Sequence, residues 1–103
     1  MIQFLPWILG ALAGVTLTLV VIAILKWDVI VNWFQHRAHL KQVDLNNVGF
    51  TLMTHQLAGN FRTIQGVFNK RTYRVAEARQ IDSQQIDPDL TNVHAGKEVV
   101  LYE

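Results

Sequence analysis

Two histidines three residues apart, His36 and His39, are the first residues whose type and spacing point to chemistry. On a helix they share a polar face and can ligate a metal or a porphyrin, but no carboxylate or thiol is spaced to complete a site. They are weak metal candidates, and solvated or interfacial imidazoles are the plainer expectation. A second group is cationic: Lys70, Arg71, Arg74 and Arg79, with Tyr73 between them and Phe68 just ahead. A basic hairpin of this kind can touch anionic lipid headgroups, worth about 1 kcal/mol per basic residue near a surface, or a partner protein. Nucleic acid is not expected, because a formal net charge of +1 lacks the usual basic footprint.

Other chemistry is missing from the 103 residues. There is no cysteine, no Gly-rich phosphate loop, no H-E-x-x-H and no G-x-S-x-G. Ser83 is the only serine and sits in the polar stretch Asp82-Ser83-Gln84-Gln85, while His55 and His94 are isolated and read as structural. The chain is therefore expected not to be an enzyme, and no cofactor is expected.

The elements that would position these groups begin with an uncharged segment. Residues 1 to 25 contain no Lys, Arg, Asp or Glu, and Phe4 to Leu25 is apolar apart from Thr16 and Thr18. As a helix it would span roughly 33 Å, against about 30 Å of bilayer hydrocarbon. Insertion of its thirteen Leu, Ile, Val and Phe side chains would gain on the order of −4 to −8 kcal/mol. A cleaved signal peptide fits less well, because the segment lacks a basic start and a small-residue cleavage site. A buried soluble helix fits less well again, because the remaining chain is short for wrapping a helix apolar on all sides. The reading is a transmembrane anchor over residues 1–26, with Gly10 and Gly14 as a G-x-x-x-G surface for helix packing. Lys26, Arg37 and Lys41 follow the segment and no basic residue precedes it, which predicts an outside N-terminus and a cytoplasmic C-terminal module.

Residues 27–46 carry Val29, Ile30, Trp33, Phe34, Leu40 and Val43 at helical spacing, which predicts an amphipathic juxtamembrane helix. Residues 47–103 form a small water-facing module, near the size at which a domain without disulfides is marginal. Here two templates compete. Leu40, Val43, Asn47, Phe50, Thr54, Leu57, Phe61, Ile64 and Phe68 step by three and four, as a long helix would. Gly49, Gly59, Gly66 and several threonines favour strands instead: Phe50–Leu57, a turn at Ala58-Gly59-Asn60, Phe61–Phe68, Tyr73–Ile81 and Glu98–Tyr102. Asp87-Pro88-Asp89 signals a helix from Pro88 to Ala95, with Gly96 at its exit.

The expected fold class is a membrane α plus small β-rich (α+β) chain. It comprises one N-terminal transmembrane helix, an amphipathic juxtamembrane helix, and a meander of about four short strands with one short helix. The expected function is a single-pass membrane-anchored accessory or scaffolding subunit of a larger membrane protein complex. Its expected partners are membrane lipid and other membrane-protein subunits or a second copy of itself. The alternatives are a metal- or porphyrin-binding membrane protein using His36 and His39, and a lipid-surface module using the basic hairpin.

Overall fold

The computed structural model describes residues 5–55 and 59–102. The start of the apolar segment at Phe4, the strand end at Leu57 and the turn residue Ala58 lie outside the described residues, as does the side chain of His55.

The apolar N-terminal segment is not one helix. It forms α1 (Leu5–Leu12), a turn, and then a strand, β1 (Thr18–Leu25). Among the described residues, no helix is long and apolar enough to cross a membrane, which overturns the transmembrane anchor and the membrane localisation built on it. The physical reason lies in the second half of the segment. Gly14 interrupts the helix, and six of the nine residues from Thr16 to Ile24 are β-branched, stiff at χ1 and better suited to a pleated sheet. Without a span, the basic flank has no membrane to orient, and the outside N-terminus and cytoplasmic module fall with it. The G-x-x-x-G expectation changes too: Gly10 lies on α1 and Gly14 just beyond it, and a Cβ at either would meet no atom within 4 Å.

The architecture is α+β. After β1 come α2 (Trp27–Gln35), α3 (Ala38–Val43), β2 (Asn47–His55), β3 (Phe61–Asn69), β4 (Arg74–Ile86), α4 (Pro88–His94) and β5 (Val99–Tyr102). The predicted juxtamembrane helix is thus two helices separated at His36 and Arg37. The strands form one mixed sheet in the order β1-β4-β3-β2-β5. β2, β3 and β4 are consecutive antiparallel neighbours, with Phe50 opposite Gly66 and Gly66 opposite Ala78. The last strand does not extend this meander beyond β4; it crosses back and pairs antiparallel with β2, Leu52 opposite Val99. β1 pairs parallel with β4, Val20 opposite Ile81, so part of the supposed anchor belongs to the same sheet as the supposed module.

Alternation along the strands divides the core in two. On one face Phe50, Leu52, Phe68, Ala78 and Val99 pack with Ile8 and Leu12 of α1. On the other, Ile81 packs with Leu25, with Ile30 of α2 and with Leu90 of α4. Polar bonds seat α2 on the sheet: the buried Gln65 side chain donates to the Ile30 carbonyl at 2.8 Å. Asp87 joins two helix starts. Its Oδ1 accepts the Asp89 N–H and its Oδ2 accepts the Trp27 N–H, each at 3.1 Å, satisfying free donors at the start of both α4 and α2.

Candidate functional site

The sheet has two edges of different kinds. β5 is short, four residues, whereas β1 at the other edge is eight residues long with no Pro and no charged side chain. Leu19, Val21 and Ile24 are 58%, 73% and 46% exposed. Its sequence, TLVVIAIL, is the uninterrupted apolar run of a strand buried on both faces between neighbours. Among the described residues its position is that of an edge strand, which presents its outward N–H and C=O groups for pairing with another strand. Proteins ordinarily blunt such an edge with Lys, Pro or a bulge, and β1 has none of the three.

Beside the first residues of β1 lies a cleft of about 340 Å³, lined by Thr16, Thr18, Trp33, Arg37, Glu77 and Arg79, among others. Trp33 is its apolar floor and is 8% exposed. Both guanidinium groups lean on this one indole, with Cζ of Arg37 3.9 Å and Cζ of Arg79 5.4 Å from the ring centroid. Arg37 is ion-paired with Glu77 and donates to the Trp33 carbonyl. Arg79 is bonded to neutral acceptors, Gln65 Oε1 at 2.9 Å and the Val29 carbonyl at 3.3 Å. Burial, and then the repulsion of Arg37, push its pKa down from the usual arginine value.

The residues singled out by sequence are dispersed around this framework. Arg79 faces α2 and does not join Lys70, Arg71 and Arg74, which surround the β3–β4 turn. Arg71 is tied down there by Asp44, 3.3 Å away, in a polar hub where Asp44 also accepts from Asn46 and Asn69. Those hydrogen bonds hold the Asp44 carboxyl well below the usual carboxylate range. His36 is exposed, with Nδ1 2.7 Å from the Asn32 carbonyl, and His39 lies on α3 beyond the helix break. Among the described residues no group of three or more His, Cys, Asp or Glu is placed to hold a metal.

Sequence reasoning missed Arg37, Glu77 and Trp33 as one site, because they come from the α2–α3 junction, β4 and α2, with Arg37 and Glu77 forty residues apart. It also missed a buried hydrogen-bonded chain on the same face of the sheet. The His94 Nδ1–H donates to the Lys97 carbonyl at 2.9 Å, leaving Nε2 to accept from the Thr51 hydroxyl at 2.7 Å. Tyr102 must then donate to Thr51 Oγ1, also at 2.7 Å. Only the alternation of β2, which places Thr51 on the α4 side, hinted at such a contact.

No protein-family profile matches the chain, and neither a curated protein nor a solved structure matches it.

Proposed function

We propose that this chain is a small accessory protein that works by binding protein, and that its docking element is the free edge of β1, which pairs with β1 of a second copy. What carries the reading is the mismatch between the sequence of β1 and its place: an interior strand's composition stands at an edge. A second copy is the favoured occupant because the strand complements itself. In an antiparallel register centred on Val21, Val20 would oppose Ile22, and Leu19 would oppose Ala23, with no charge facing a charge. The twofold axis closes the contact, so two sheets would join as one without an open, repeating end. Burying Leu19, Val21 and Ile24 supports this with roughly 1 kcal/mol or more per side chain.

The experiment is sedimentation of the intact chain across a dilution series, beside Val21→Lys. A dimer that becomes a monomer on substitution, with unchanged circular dichroism, supports the proposal. A wild-type chain that stays monomeric up to its solubility limit overturns it.

A further inference from the structure

We propose that the cleft over Trp33 binds a phosphate group, with Arg37 and Arg79 as its ligands and Glu77 as the group that the phosphate displaces. This stands apart from strand pairing, since the cleft is built from side chains on the helix-covered face and uses no backbone group of the β1 edge.

Charge makes the first part of the argument. Two guanidinium groups lean on one indole, and one carboxylate, Glu77, pairs with one of them. Arg79 is half-buried against neutral oxygens, and among the described residues no carboxylate is paired with it. An arginine remains charged at any ordinary pH, so a partly desolvated guanidinium without a counter-ion keeps an electrostatic demand that a bound anion meets.

Shape makes the second part. The space of about 340 Å³ takes a group of phosphate size together with part of the molecule that carries it. Arg37 and Arg79 present forked N–H donors from the α2–α3 junction and from β4, and Thr16 and Thr18 line the third wall. Donors arriving from several directions suit a tetrahedral oxyanion better than a planar carboxylate. Glu77 itself marks where a negative oxygen sits against Arg37. Its side chain is 46% exposed, so it can rotate into water when a stronger anion enters. With Glu77 withdrawn, the two arginines present a charge of +2, which matches a phosphate dianion.

The test titrates inorganic phosphate, and separately glycerol phosphate, into the intact protein at constant ionic strength. It follows the Trp33 indole N–H and the arginine Nε–H signals by NMR. Saturable shifts at Trp33, Arg37 and Arg79 are expected, with acetate and chloride giving none. Glu77→Gln is expected to tighten binding up to about fivefold by removing the competing anion. Arg37→Gln is expected to weaken it at least about tenfold, the worth of one charge-assisted hydrogen bond. Tightening by Glu77→Gln is a result that a purely structural role for these side chains does not produce. Absence of saturable shifts in both the wild type and Glu77→Gln overturns the proposal, as does an equal response to acetate. Binding of glycerol phosphate but not of the free ion would show that the phosphate is recognised as part of a larger molecule.

Discussion

The hydroxyl of Thr51 lies 2.7 Å from Nε2 of His94, two groups 43 residues apart in the chain and both enclosed in the interior. Burial lowers the pKa of His94 from its ordinary 6.5, so the fold holds the neutral ring. The unfolded chain binds a proton there at a higher pH than the folded chain. The neutral ring's contribution to stability is complete above about pH 6.5 and declines as pH falls below that value toward the lower folded pKa. Thermal melts from pH 8 to pH 5 are expected to show a falling Tm, with a slope that flattens in His94→Gln. An unchanged slope in that variant would assign the acid sensitivity to other groups.

Thr51→Val removes the centre of the same chain. The His94 acceptor and the Tyr102 donor would both lose their partner while buried or half-buried, at a cost of about 1–3 kcal/mol. Urea denaturation checks this, and a smaller loss would mean that water reaches the gap.

Gly66→Ala is expected to be more damaging than its exposed counterpart Gly10→Ala. A Cβ at Gly66 would stand 2.7 Å from the Glu77 carbonyl oxygen and 2.8 Å from the Phe50 ring, whereas one at Gly10 meets nothing within 4 Å. The backbone oxygen cannot turn aside without disturbing the β3–β4 pairing, so the loss is on the order of 1–3 kcal/mol. Gly10→Ala should be neutral or slightly stabilising, since it replaces glycine within a helix. Equilibrium unfolding of the two variants makes the comparison.

Thr63→Val acts in the opposite direction. The Thr63 hydroxyl is fully buried and makes no hydrogen bond among the described residues, so exchanging it for a methyl group of similar shape removes an unmet polar group. A gain of up to about 1 kcal/mol is expected in the same measurement.

Asp87→Ala, which removes both acceptor oxygens, tests the shared cap. The carboxyl is held below its ordinary pKa of 3.8, chiefly by the Trp27 N–H and then by that of Asp89. Its contribution is present above that value and is lost as pH falls through the lower folded pKa. Hydrogen exchange is expected to quicken at Trp27 and Asp89 together in the variant, although the two residues belong to different helices. Quickening at Asp89 alone would show that α2 does not depend on this side chain.

Much of the C-terminal half could be read in advance because its signals are local. Asp87-Pro88-Asp89 sits where α4 begins, and Gly96, with φ of 82°, follows the helix exit. Strands were expected close to where β2 and β3 form, while β4 runs on to Ile86, beyond the expected end at Ile81. The N-terminal quarter was misread because an apolar run without charge has the same appearance as a membrane helix and as a buried strand. Helix length separated the readings: α1 stops at Leu12, and the β-branched residues from Thr16 onward go to the sheet. The cleft was hidden for another reason. Trp33, Glu77 and Arg79 meet only because α2 crosses over β4, and no spacing along the chain encodes that crossing.

The parallel pairing of β1 with β4 also bears on how the molecule is made. Thr18 meets Arg79, so the water-averse strand β1 leaves the ribosome roughly sixty residues ahead of the neighbour it pairs with. At about 5–20 residues per second this interval lasts several seconds, during which an unpaired sticky strand is open to misassembly. A nascent chain of this design would be expected to lean on chaperones, and its yield in cells to track how quickly β4 follows.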